Sequence, residues 1–128
     1  METEVILGQV IAKANSYLIG GRGEAQHLIK NDRIRAYERS FVEQCKIYKD
    51  RHIKGSFKLF IAVYHSSIKY DLDNSLKTVL DCLQYAGAIE DDNKCFGIVA
   101  EKRIDKKNPR VVFAIEPINE QVELFNKI

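Results

Sequence analysis

Cysteine is scarce and scattered. Cys45, Cys82 and Cys95 are three in number and form no C-x-x-C pair, which excludes both a disulfide framework and a zinc knuckle. They read as small buried apolar residues. Long apolar runs are also missing: none approaches the roughly 20 residues that a bilayer span requires, and no charged, apolar, small-residue leader is read at the start. The expectation is a soluble, cytoplasmic protein with no membrane partner. No internal repeat or low-complexity linker occurs, and 128 residues with 45% hydrophobic content suit one domain, residues 1–128, with a real core. Net charge is only +2, so the distribution of charge, rather than its sum, is what an anionic partner would feel.

That distribution is uneven. Lys13, Arg22, Lys30, Arg33, Arg35 and Arg39 stand against Glu24, Asp32 and Glu38, and a second basic run spans Lys46 to Lys58. Lys102, Arg103, Lys106, Lys107 and Arg110 against Asp105 make a third. Between them, Asp71 to Asp92 holds six acids and only one base, Lys77. An acidic island in a basic surround is the pattern of a metal-dependent nuclease, whereas each run taken singly is more simply a solvated face.

Periodicity gives the elements. Val5 to Ile11 reads as a first strand, and the turn-rich residues 13 to 32 as a loop or a hairpin of short strands, long enough to be functional. Asp32 can cap a helix whose stripe is Ile34, Tyr37, Phe41, Cys45 and Tyr48. Phe57 to Tyr64 looks like a central strand. Asp71 or Asp73 can cap a second helix with Leu76, Val79, Leu80 and Leu83 on one face, ending near Ala86-Gly87. Cys95 to Ile104 and Arg110 to Ile115 read as a hairpin joined by the Asp105-to-Pro109 turn, and a short amphipathic helix from about Glu120 to Phe125 closes the chain. The fold class predicted is α+β: one small domain, a mixed sheet of about four strands with two main helices packed on it.

The chemistry follows from Asp71-Leu72-Asp73-Asn74-Ser75-Leu76-Lys77. The two carboxylates straddle a strand-to-helix junction, where alternate spacing can aim both the same way while Leu72 turns inward. If the flanking strands are neighbours, Asp92 arrives near the same end of the sheet and supplies a third acidic oxygen donor. Two or three carboxylates suit Mg²⁺, a hard cation that keeps several waters, and such ions activate water and stabilise the leaving oxygen of a phosphodiester. Lys77, one turn beyond Asp73, can offset the developing charge.

Blander explanations stand beside these. Asp73 alone is more simply a helix cap, Asp81 an i to i+4 partner of Lys77, and Glu90-Asp91-Asp92 an exposed turn. His27, His52 and His65 show no ligand spacing and read as solvated or core residues. Tyr17, Tyr37 and Tyr70 can stack on bases, although the helix stripe favours packing for Tyr37. An EF-hand loop beginning at Asp71 fails, because Leu76 and Cys82 stand where glycine and glutamate are needed. A D-x-D phosphatase would need an apolar strand directly before Asp71, where Ser66 to Tyr70 is polar, and a sugar-nucleotide transferase would need a larger chain.

The ordered set Asp71-Leu-Asp73-Asn74-x-x-Lys77-x-x-x-Asp81-x-Leu83-x-x-Ala86-Gly87-x-x-x-Asp91-Asp92, continuing through Glu101-Lys102 to Pro109-Arg-Val-Val-Phe-Ala-Ile115, resembles the RusA-like endodeoxyribonucleases. These are Holliday junction resolvases often carried by phages and prophages. The resemblance implies Mg²⁺-dependent (Mn²⁺ as substitute), symmetric nicking of branched DNA, above all four-way junctions, by a homodimer. It maps the metal-binding and catalytic carboxylates to Asp71, Asp73 and Asp92, with Asp91 the nearest competitor, and the essential lysine to Lys77. Lys13, Asn15, Arg22, Lys69 and Lys102 would hold the DNA backbone. The chain departs from the common pattern at Lys69-Tyr70 and Lys94, which bears on sequence preference and not on the metal site. Other branched DNA such as flaps or forks, or a non-catalytic DNA-binding module with a structural acidic island, are the alternatives.

Overall fold

The computed structural model describes residues 1–12 and 32–118, and the backbone of 17–20 and 27–30. Its organising element is β4 (Phe57–His65), in which Phe57, Leu59, Ile61, Val63 and His65 are buried and the residues between them half-buried. Strict alternation of this kind belongs to a strand with one face in the core. Three more strands, β1 (Glu4–Leu7), β5 (Cys95–Ile104) and β6 (Arg110–Pro117), complete a sheet of order β1-β6-β4-β5. β6 runs antiparallel to both β1 and β4, whereas β5 runs parallel to β4. A separate antiparallel hairpin, β2 (Tyr17–Gly20) with β3 (His27–Lys30), occupies the segment expected to hold short strands.

Two helices, α1 (Asp32–Gln44) and α2 (Leu72–Tyr85), cover one face of the sheet. Phe41 of α1 stacks on Phe113 of β6 at 5.9 Å, and Tyr48 leans on the same ring at 5.6 Å. Val79, Cys82 and Leu83 bring α2 into the same core. The α+β class, mixed four-stranded sheet and two packed helices are as the sequence predicts. Among the described residues, no helix is long and apolar enough to cross a membrane.

Several boundaries differ from the periodic reading, each for a local reason. The first strand ends at Leu7 because Gly8 turns with φ of +113° and donates its N–H to the Pro109 carbonyl at 2.9 Å. The apolar stripe of α1 runs on to Cys45 and Tyr48, but the helix stops at Gln44. There the buried carboxylate of Glu4 accepts the N–H groups of Lys46 (2.9 Å), Ile47 (2.7 Å) and Tyr48 (3.2 Å), turning them away from helical carbonyls. Burial and the bond to Glu4 push the Cys45 thiol up to about 12, so it stays protonated and inert. Cys82 is buried as expected, while Cys95 is half-buried.

The largest difference is topological. β5 and β6 do not form a hairpin, because β4 lies between them and bonds to both. A short turn still suffices to join them, since the Asp105 N–H is held by the His65 carbonyl at 2.8 Å and the Asp105 carboxylate caps Lys107 and Asn108 as the chain passes the end of β4. The expected C-terminal helix lies outside the described residues.

Gly87 ends α2 with φ of +71°, and a Cβ there would sit 2.8 Å from Asp50 Oδ1. The 50–53 segment bonds directly to this turn, through Asp50 N–H to Ala86 O, His52 N–H to Gly87 O and Ile53 N–H to Ala88 O. Gly87→Ala is expected to destabilise the fold by about 1–3 kcal/mol through backbone strain and the clash, read as a lower urea midpoint at unchanged slope.

Candidate functional site

Asp71 occupies the N-cap position of α2 with extended backbone (φ −91°, ψ 139°), yet its side chain makes no capping hydrogen bond. A capping residue ordinarily spends its side-chain oxygen on the N–H groups of the first turn. Here the carboxylate stays exposed, and among the described residues its hydrogen-bond partner is the Asn74 amide, which donates to Oδ2 at a long 3.4 Å. Asp73 lies exposed in the first turn and Lys77 exposed one turn later, while Leu72 is half-buried against the core as expected. Asp71, Asp73 and Lys77 therefore share the solvent-facing start of one helix.

Beneath them runs a buried polar path that the sequence reading missed. His65, the last residue of β4, is fully buried and contacts Ser75 of α2, Nε2 to Oγ, at 3.2 Å. Ser75 in turn donates to the Asp71 carbonyl at 2.8 Å. On its other side the imidazole meets Gln9 Nε2 at 2.7 Å, and its ring stacks on Tyr70 at 5.3 Å. One turn on, Thr78 donates to the Ile11 carbonyl at 2.7 Å. The buried face of α2 is therefore Ser75, Thr78, Val79, Cys82 and Leu83, with Leu76 and Leu80 only half-buried. The available signal was the period-two pattern of β4, which carries one step past Val63 to His65.

Asp92 is elsewhere. β5 pairs parallel to β4 with Cys95 opposite Phe57 and Ile104 opposite His65, so the turn that opens β5 lies at the beginning of β4, whereas Asp71 follows its end. The 14-residue α2 bridges the two, and at about 1.5 Å per residue it separates them by on the order of 20 Å. The expectation that neighbouring strands would bring Asp92 to the same end is thus corrected: that requires antiparallel neighbours, and these are parallel. Among the described residues no three acidic, histidine or cysteine side chains converge as a metal cluster. Within the acidic turn the roles divide. Asp91 caps the short 3₁₀ turn Asp92–Lys94 by accepting the Asn93 N–H at 3.0 Å, while Asp92 is exposed.

The basic residues at the Asp71 end are partly committed. The half-buried Lys102 donates its ammonium to the Ile68 carbonyl at 2.7 Å and so braces the loop before Asp71, while Lys69 is exposed with its ammonium 5.3 Å from the Tyr70 ring centre. Tyr37 is buried against Phe41, as the helix stripe favoured. Lys13, Asn15 and Arg22, with the side chain of Tyr17, lie outside the described residues.

Burial lowers the His65 pKa from its ordinary value of 6.5, Lys102 lowers it further, and Asp71 only partly opposes them. A histidine depressed in the fold contributes stability above its unfolded pKa and loses it as pH falls through the folded value. Acidification below about 6.5 should therefore lower the thermal midpoint, and His65→Gln should flatten that part of the pH profile.

Residues 8–116 match the family model described as endodeoxyribonuclease RusA. The chain is also similar to the crossover junction endodeoxyribonuclease RusA of Aquifex aeolicus (strain VF5), at 29% identity over 119 residues that cover 91% of this chain and 92% of that protein. The match takes in β4, the Asp71-Leu-Asp73-Asn74 helix start, the acidic turn and β6, and this chain belongs to the RusA family of endodeoxyribonucleases.

Proposed function

We propose that this protein is a Mg²⁺-dependent endonuclease that nicks branched DNA, with four-way junctions as its substrate, and that it works as a homodimer. One observation carries the reading. Inside the family-matched segment, Asp71 stands at a helix N-cap with its carboxylate unused by the cap, beside exposed Asp73 and Lys77. The Aquifex aeolicus relative is named a crossover junction endodeoxyribonuclease, and that reaction is the one extended to this chain.

The donor set suits the metal. Asp71, Asp73 and Asp92 offer only hard carboxylate oxygens, all three are exposed, and among the described residues none is tied up in an ion pair. Mg²⁺ would be held by them, with Mn²⁺ as a substitute. When bound, the ion would activate water and stabilise the leaving oxygen of an in-line displacement. The ammonium of Lys77 offsets charge developing on the scissile phosphate. Lys69 and Lys102, with Lys13, Asn15 and Arg22, position the DNA backbone.

A helix length separates Asp92 from Asp71 in one chain, so a three-carboxylate site draws on two copies. β5 is the surface that supports this. At the opposite edge the Gln44 amide engages the end of β1, accepting the Leu7 N–H at 2.7 Å and donating to the Leu7 carbonyl at 3.0 Å as a further strand would. β5 has no such cover among the described residues, and Phe96, Ile98, Val99 and Ile104 along it are each 40–52% exposed. Long apolar edges of this kind are normally blunted or paired. Antiparallel pairing of two copies of β5 about a twofold axis would set the Cys95 end of one against the Ile104 end of the other. Asp92 of one copy would then approach the helix start that bears Asp71 and Asp73 of the second. Two identical sites related by a twofold axis also fit a four-armed substrate.

The purified chain should nick a synthetic four-way junction with Mg²⁺ and not with EDTA, and should act far less on three-way, flap or linear DNA. Junction binding with no metal response would instead indicate a non-catalytic module, and a flap or fork preference would reassign the substrate. Asp71→Asn and Asp92→Asn should each reduce nicking to background while leaving junction affinity largely intact. Mixing the two inactive variants should restore nicking, because one site of each mixed dimer carries neither substitution. Failure to recover after verified subunit exchange would rule out the shared site. Lys77→Ala should lower turnover more than affinity.

A further inference from the structure

The polar path under α2 has a fixed direction, and Gln9 sets it. The Gln9 carbonyl oxygen accepts the Ser66 N–H at 2.7 Å, and its amide nitrogen donates to the Val10 carbonyl at 3.1 Å. A backbone N–H only donates and a backbone carbonyl only accepts, so the amide has one permitted orientation. Its nitrogen therefore faces His65 Nδ1 as a donor, at 2.7 Å. Nδ1 must accept, and the ring proton must sit on Nε2, aimed at Ser75 Oγ 3.2 Å away. With its lone pair engaged, the Ser75 hydroxyl gives its proton to the Asp71 carbonyl at 2.8 Å.

A serine bonding to the carbonyl four residues before it is a common local habit in helices. Two features set this one apart. Ser75 is 2% exposed, and it receives a second bond from a fully buried histidine on a different element. His65 also stacks on Tyr70, the residue before Asp71. The N-cap residue is thus gripped at its own carbonyl and at its preceding neighbour, while its carboxylate is left free of the cap.

We propose that His65, held as the neutral Nε2–H tautomer between Gln9 and Ser75, is a positioning residue that fixes where the Asp71 carboxylate points. This rests on Asp71 being a metal ligand of the nuclease site. The histidine touches neither substrate nor metal. Its role is to keep the Asp71 backbone from rotating, because a misplacement of about 1 Å at a reacting centre can cost up to roughly a hundredfold in rate.

Long-range proton–nitrogen spectra of the ¹⁵N-histidine-labelled chain near neutral pH test the tautomer directly. His65 should show a protonated Nε2 and an unprotonated Nδ1, and Gln9→Glu, whose carboxylate can only accept, should exchange the two. In single-turnover nicking at saturating Mg²⁺, Ser75→Ala should lose roughly tenfold or more in rate with unchanged junction affinity. Gln9→Glu should do the same although Ser75 keeps its hydroxyl, an effect that simple loss of packing would not give. A wild-type His65 protonated on Nδ1, or Ser75→Ala nicking at the wild-type rate, would overturn the proposal. Absence of metal-dependent nicking in the wild-type chain removes the nuclease reading and the positioning role with it, whatever tautomer the spectra report.

Discussion

Parallel pairing of β5 with β4 is the constraint on which the rest of the arrangement depends. A parallel neighbour must be entered from the same end as its partner, so the chain leaving His65 has to travel back along the whole sheet before Cys95 can begin. α2 is that return path, and its two ends are therefore the two ends of the domain. The acidic segment is strung along it, with Asp71 and Asp73 where the helix starts and Asp92 after it finishes. A cluster that looks continuous in one dimension is divided in three.

The two edges of the sheet are treated differently. At β1 the Gln44 amide occupies the free hydrogen-bonding groups of Leu7, and Glu4 ties the same strand to the end of α1. That corner is finished within one chain. β5, with apolar side chains exposed along its length, is not. An uncovered apolar edge beside one end of the divided acidic segment is what the proposed self-complementary interface would use.

Apart from the Tyr37 hydroxyl, which is buried with no hydrogen-bond partner among the described residues, the polar groups inside the core are satisfied across elements. Each of the buried Glu4, His65, Ser75 and Thr78 has a hydrogen-bond partner outside its own helix or strand. Buried polar groups so satisfied fix register and orientation, because any slip leaves a donor or acceptor bare. Gln9 and Ile11 are held against β4 and α2 in this way. This segment and the carboxylate-bearing helix start are anchored to the same few groups.

Much of this was legible along the chain. The alternation of β4, the stripe of α1, the α+β class and the family signature from Asp71 to Asp92 all rest on spacing, which a sequence displays directly, and the turn residues of 13–32 left a loop or a hairpin open there. Residues such as Ser75 and His65 were not legible, since a serine on a helix and a histidine at a strand end acquire a role only from what folds against them. The order of strands was not legible either: a short turn between β5 and β6 suggests a hairpin, and only competition for the two edges of β4 decides that both strands pair with it instead. The sequence by itself determined which chemical groups the protein owns and which helix start presents Asp71, Asp73 and Lys77. Tertiary structure alone decided that Asp92 lies a helix length away, because strand direction is set by sheet hydrogen bonding between distant segments and not by any local run of residues.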